Sequence, residues 1–408
     1  MGSLRFVGRQ LSTKQVTTIT LTAYDVATTY KVTIGQKVVS TLGTGGTTAA
    51  TATALYNLLT ASTEPEFQEI TWTNPSGSVI VGTAVTAGTP FTATATVSGG
   101  TGTLSQTATT ANQSPNDFND AVNYDTGSLP VNGDDLFIDE SAVDILWNLG
   151  SLSGVTLTSL NIAMSFTGTI GLPEANAAGY REYRPQYMAI GATTINIGIG
   201  TGSGFSRCRL NQGSVQTTLN IFNTGAADDS PRECVEWKGT HASNVVNIYG
   251  GSLGVAIYGG EAATIATLRL AEGLGNTIVR CGATVTLAAI TQEAGELKIN
   301  TAVSGTINQL GGSLFVVGAG TIATANIAGT VSHNGTGTIT TVALRPGGSL
   351  DLGLDARAIT VTNCTMYAGS ALADPAARGT YTNGIILSNC RLSDVSLDLG
   401  INRTLTVA

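Results

Sequence analysis

GGSLFVVGAGTIATANI (residues 311–327), AGTVSHNGTGTITTVAL (328–344) and GGSLDLGLDARAITVTN (347–363) decide the fold. Each unit reads as a glycine turn, an alternating strand, a second Gly or Asn turn and another strand. The glycine before the small-apolar pair falls at Gly312, Gly329 and Gly348, and one unit earlier at Gly295 in AGEL, so the spacings are 17, 17 and 19 residues. GGSL also occurs at 250–253. Period-two alternation marks a half-buried strand, and a repeat of fixed length marks stacked units. A five-residue strand is ~17 Å long, so a coil of ~18 residues holds three short strands and their corners. The expectation is a mainly β chain with a β-solenoid over 140–408, about 18 residues per coil, clearest from 282 to 368.

Outward from that core the rhythm breaks at 173–188 (PEANAAGYREYRPQYM) and 225–239 (GAADDSPRECVEWKG), and more mildly at 373–379 (ADPAARG). Insertions leave a stack at its corners as surface loops. Residues 118–139 (FNDAVNYDTGSLPVNGDDLFID) read as a cap, which the first coil needs to cover apolar interior and strand edges. Residues 99–117, rich in Gly, Thr and Ser, read as a flexible linker and the clearest domain boundary.

Residues 18–98 follow another grammar. Thr18–Thr22 and Thr29–Ile34 alternate as strands. TTAATATALYNLLTAS (47–62) is the best helix candidate, capped near Thr47 or Thr48, with Leu55, Leu58 and Leu59 on one face and Glu64-Pro65 closing it. Strands over Ile70–Thr73, Ser78–Val85 and Phe91–Val97 complete a small ββαβββ module with the helix on one sheet. Residues 1–17 read as an extended arm anchored by Phe6 and Leu11, which docks on another subunit or module.

Composition agrees. Gly is 51 of 408 residues, charged residues are 11 % and aromatics 6 %, and mean hydropathy is +0.20. Disordered chains are charge-rich, and helical ones need far more Glu, Lys, Arg and Leu. The net charge of −8 comes from 19 basic and 27 acidic residues without a basic stripe, which argues against nucleic acid. Apolar runs fall short of the ~18 residues of a membrane helix, so membrane insertion is not expected. The first twenty residues lack a secretory h-region, and Phe6 stands where a myristoylation motif wants Ser or Thr.

No motif calls for a cofactor or metal. Cys208, Cys234, Cys281, Cys364 and Cys390 are spread singly, as interior hydrophobes rather than a disulfide or zinc framework. His241 and His333 lack ligand spacing, and His333 in SHNGTG reads as a solvent-exposed corner. Paired carboxylates are the serious enzymatic possibility: Asp134, Asp135, Asp139, Glu140 and Asp144 near the cap, Asp228 with Asp229, and Asp351 with Asp355. None has cleft-like Arg, Lys or His company, and turn aspartates explain them more simply. GDD at 133–135 suits a Ca²⁺ turn but lacks the oxygen count. The candidate contact surface is Tyr180, Arg181, Tyr183, Arg184 and Tyr187, with Trp237, since Tyr, Trp and Arg are enriched at binding surfaces. The alternative is that the tyrosines pack on the rod or on a neighbouring subunit.

Two stretches carry a resemblance. YKVTIGQKVVS, TTAATATALYNLLT, EFQEITWT and GTPFTATATV within residues 30–97 resemble a small module of tailed-phage virion proteins and phage-like bacterial genes. FNDAVNYDTGSLPVNGDDLFID is similar to the entry cap of β-helical phage and surface proteins, with Phe118 and Tyr124 where tryptophans are usual. The GGSL and GTGTITTV coils also resemble phage or adhesin β-helices. The resemblance implies a virion component, such as a tail fibre, tailspike or capsid decoration, assembled in the host cytoplasm. It would work as a homo-oligomer, a trimer being favoured, joined to other virion proteins through the module and facing a host glycan or receptor. The alternatives are a tailspike depolymerase that cleaves a surface polysaccharide with paired acids, and a bacterial surface adhesin, which needs an export signal.

Overall fold

A computed structural model describes residues 2–227, 233–271 and 277–400. The chain is mainly β, with two long parallel sheets of many strands, an arrangement compatible with a β-solenoid. From Met188 to Tyr381 the chain alternates between them, one strand to the 14-stranded sheet and one to the 11-stranded sheet.

Parallel pairing stacks equivalent residues into columns. In the long sheet one column runs Leu4, Leu136, Leu160, Ile195, Leu219, Val246 and Leu268. It continues through Ile290, Ile307, Ala325, Val342, Cys364 and Ile385. The column is buried from Leu4 to Cys364 and half-buried at Ile385. Each full aliphatic burial contributes ~1.5–3 kcal/mol, so the repeated inward position drives the stacking. Beside it, Asn161, Asn196, Asn220 and Asn247 form a ladder, each amide donating to the Oδ1 of the previous one at 2.9, 3.0 and 3.0 Å. A one-residue slip would break the ladder and turn the column outward, which fixes register.

The sequence repeat coincides with the pairing register. Glu296, Ser313, Thr330 and Ser349, each directly after its repeat glycine, stand opposite one another. Gly312 needs its residue type: φ is +73°, and a Cβ would lie 2.4 Å from the Gly295 carbonyl oxygen. Gln292 and Gln309, wholly buried, close these corners. Gln309 donates to the Gly312 and Thr330 carbonyls at 3.1 and 2.9 Å. Outside this region the expected uniform step does not hold. Ile195 to Leu219 is 24 residues and Leu219 to Val246 is 27. Leu160 to Ile195 is 35, because residues 173–188 lie inside that step.

The N-terminal arm corrects an expectation. Ser3–Arg5 pairs in parallel with Asp135–Ile138 as the first strand of the long sheet. Phe6 is wholly buried and meets Tyr124 edge-on at 5.5 Å. The arm therefore docks on its own chain's cap, and Leu11 is exposed rather than an anchor. The α+β module lies between the first two strands of the stack in sequence.

The module has two antiparallel sheets. One is ordered Ile70–Ser76, Val79–Ala84, Val16–Ala23, Thr103–Thr110, and the other Lys37–Leu42, Thr29–Ile34, Ala93–Ser98. Strand Lys37–Leu42 is additional to the expected order. Thr103–Thr110 is a paired edge strand where a linker was expected; its mostly exposed Thr, Ser and Gln carry no inward apolar alternation. The helix is Thr48–Thr60, with the Thr47 hydroxyl accepting from the Ala50 N–H at 3.1 Å. Leu55 and Leu59 face the core, whereas Leu58 is exposed. The helix touches strands of both sheets, and Pro65 opens a short helix, Pro65–Gln68, instead of closing this one.

Candidate functional site

Residues 173–188 bracket the module to the stack. Arg184, 8 % exposed, sits between them. One guanidinium nitrogen pairs with Glu69 of the module, and Nη1 reaches Glu182 Oε1 and the Tyr180 hydroxyl, both at 3.0 Å. Its Nε donates to the Pro90 carbonyl at 2.8 Å. The Tyr180 hydroxyl donates to the other Glu69 oxygen. The Tyr183 ring packs on the module's core beside Gly35 and lies 4.5 Å under the Arg184 guanidinium. Burial, with Glu69 accepting from its hydroxyl, pushes the Tyr180 phenol well up. Of the expected contact surface, Tyr180, Tyr183 and Arg184 are thus internal brackets, and Arg181 alone is exposed.

Tyr187 belongs to a second cluster, on the outer face of the 11-stranded sheet. Here Arg209 and Glu236 occupy consecutive strands, 1 % and 3 % exposed, and pair at 2.8 Å. Tyr258 donates to Glu236 Oε1 at 2.7 Å. The Tyr187 hydroxyl lies 3.1 Å from Glu236 Oε2 and 3.3 Å from Glu261. Lys238 completes the group, 2.9 Å from Glu261 and 3.9 Å over the Tyr187 ring. Burial first, then Glu236 and Glu261, raise the Tyr187 phenol. Two carboxylates, two cations and two tyrosines pair within one cluster, which suits a largely buried ionic network. Nearby, Glu233 pairs with Arg280 at 2.7 Å, and burial raises its carboxyl pKa.

Trp237 is not a contact residue either. It belongs to strand Val235–Lys238, points inward between Leu210 and Val255, and is 1 % exposed. The 225–239 break therefore ends in an ordinary strand. His333 is also interior: it follows Val316 in the same column and is wholly buried. Burial and the Arg378 charge push its pKa down to about 4. Arg378, from the 373–379 interruption, donates to the His333 and Gly335 carbonyls at 3.0 and 2.8 Å. The exposed-corner reading failed because SHNGTG is strand up to His333 and turn only afterwards.

The expected carboxylates are spent on structure. Asp134 accepts from the Gly2 and Val131 N–H groups, Asp135 from Ser159, and Asp144 from Thr169. Asp139 pairs with Arg5, Asp351 caps Gly353, and Asp355 pairs with Arg357. Glu140 takes a left-handed turn, φ 46°. Asp228 and Asp229 lie outside the described residues. Among the described residues no group of three His, Cys, Asp or Glu side chains is placed to hold a metal. Cys208, Cys234, Cys281 and Cys364 are buried and Cys390 partly so, all unbridged. Burial lifts Cys281, with Glu233 adding to it, and Cys364 to about 12, which disfavours the thiolate form.

One surface feature escaped the sequence reading. Phe222 and Tyr249, each directly after its strand (Thr218–Ile221 and Val245–Ile248), stack in parallel and line a groove of about 750 Å³. The signal was present as a repeated Asn-Ile pair: LNIA (160–163), INIG (195–198), LNIF (219–222) and VNIY (246–249). No protein-family model, curated protein or solved structure matches this chain.

Proposed function

We propose that the chain is a non-catalytic structural protein: a β-solenoid rod, with coils of about 18 residues in its regular part, bearing an α+β module at its first end. The observation that carries this is the column from Leu4 to Ile385, which supplies one apolar side chain per step along the stack. Such a stack opens locally with difficulty and resists proteases. In keeping with the resemblance of its sequence, the rod belongs to a tailed-phage or phage-like particle, with the module as its anchor. The module's strand Lys37–Leu42 leaves one edge unpaired and exposes Val38 and Leu42, a surface suited to a partner. Mass spectrometry of purified particles from the source culture tests this. The chain should co-purify at fixed stoichiometry, and its absence from particles would remove the virion reading.

A depolymerase using paired acids is the second reading. Its nearest geometry is Glu236 with Glu261, both joined to Tyr187. Each is also held by a cation, Arg209 or Lys238, which favours the structural role. Sugar release from capsule or lipopolysaccharide by the purified protein would reverse that preference.

A further inference from the structure

A cleft of about 590 Å³ opens where the module meets the bracket. Its walls are residues 35–37 of a hairpin, residues 64–66 at the start of the short helix, and residues 179–183 of the bracket. The hairpin turn sits against the bracket: Gly35 has φ +57°, and a Cβ there would lie 3.0 Å from that of Tyr183. The bonds from Tyr180 and Arg184 to Glu69 fasten the bracket in turn, so the walls are preorganised. Charge around the cleft is uneven. Glu64, Glu66, Glu69 and Glu182 face Lys37, Arg181 and Arg184, four carboxylates against three cations. Three of the acids are engaged, Glu64 by Lys37 at 2.6 Å and both Glu69 and Glu182 by Arg184. Glu66 is the remaining one. It is 6 % exposed, and its Oε2 is out of solvent with no hydrogen-bond partner among the described residues. Its charge is nonetheless felt in the cleft: after the Glu64 bond, Glu66 adds to the raising of the Lys37 pKa. Arg181 bridges Ala175 through its backbone and leaves its side chain exposed. Buried charges are ordinarily paired, because an unpaired one is costly to desolvate.

We propose that this cleft binds the cationic head of an alkylammonium or alkylguanidinium ligand, seated against Glu66. Such a head brings one positive charge and its own N–H donors to a carboxylate that accepts from no protein donor. Tyr180 and Tyr183, stacked with centroids 5.8 Å apart, contribute aromatic wall to the same cleft, and aromatic surface favours a cation. A bare metal ion fits less well, since among the described residues no three His, Cys, Asp or Glu side chains are placed to hold one. An anionic ligand would meet the surplus of acid. Free polyamines and the Lys or Arg side chains of another protein carry the same head, so the chemistry is shared and the source is a matter for experiment. The inference stands on the cleft alone and does not depend on the particle to which the rod belongs.

Calorimetry and NMR titration on the full chain provide the test. The probes are putrescine, spermidine and agmatine as free cations, and doubly capped lysine and arginine as stand-ins for a partner's side chains. Butanediol is the neutral counterpart of putrescine. At least one cationic probe should bind with a Kd of about 1 mM or tighter, more weakly as salt rises, and butanediol should not bind. Glu66→Gln keeps the shape and removes the charge, and should weaken that binding about tenfold or more. Its melting temperature without ligand should equal or exceed that of wild type, because the substitution removes an unpaired buried charge rather than a pair. A loss of binding is then not a loss of fold. Arg181→Gln, which removes the exposed cation at the cleft, should bind the same probe at least as tightly as wild type. Preference for the free cations supports the site and assigns it to a polyamine, and preference for the capped residues supports it and assigns it to a partner chain. Absence of binding by every cationic probe would overturn the inference, as would equal binding of butanediol or undiminished binding by Glu66→Gln. An intact rod that binds no cation would remove this inference and leave the structural reading standing.

Discussion

Leu4 stands directly opposite Leu136 in parallel register, although the whole α+β module separates them in sequence. The chain thus begins in the stack, leaves to build the module, and returns. The module is held at its root by two chain crossings and a strand pair, and at its side by the Arg184 bracket.

Phe6→Ala tests the root. Phe6 is wholly buried against Tyr124, and such truncations cost ~3–5 kcal/mol. Hydrogen exchange should show the loss concentrated in residues 3–6 and 118–138, with amides beyond Thr218 unchanged, because a stack couples mainly to its neighbours.

Arg184→Met tests the side bracket. It strands Glu69 and the buried Glu182 without their cation, and breaking a buried pair costs ~3–5 kcal/mol. Limited proteolysis should then cut near residues 111–116 and 173–186 at rates at which wild type stays whole. Unchanged protection would mean that the strand pair alone holds the module.

His333 makes stability pH-dependent. Its folded pKa of about 4 lies below the ordinary histidine value of 6.5, so the folded state prefers the neutral ring. The contribution is fully present above pH 6.5, declines as pH falls, and is lost below about 4. The difference corresponds to about 3 kcal/mol. Denaturation midpoints at pH 7 and 4.5 should differ by less in His333→Leu than in wild type.

Gly312→Ala should destabilise the regular region. It forces a Cβ into a left-handed backbone position and against the Gly295 carbonyl, the former alone costing ~1–2 kcal/mol. A lowered denaturation midpoint with unchanged slope is the expected reading.

Much of this was legible. The glycines at 295, 312, 329 and 348 announced positions that the pairing register then repeats, because a stack of equal steps places equal environments at equal spacings. The Thr47 cap and the Thr29–Ile34 alternation were local signals and held. What escaped was non-local or lacked contrast. Nothing in SLRF names Asp135–Ile138 as its partner, and TLSQTATT gives no apolar face because it is an edge strand exposed on both sides. The tyrosine and arginine cluster at 180–187 was noticed as unusual, but composition alone cannot separate a surface that binds a target from one that binds the chain's own module. Glu69, the residue that decides between them, lies more than a hundred positions away.

Electron cryo-microscopy of the purified chain tests the central claim most directly. The account predicts a rod of parallel strands spaced ~4.8 Å along its axis, with the module beside the end formed by Ser3–Arg5 and Asp135–Ile138. A compact particle without that axial repeat, or a module detached from that end, would contradict it.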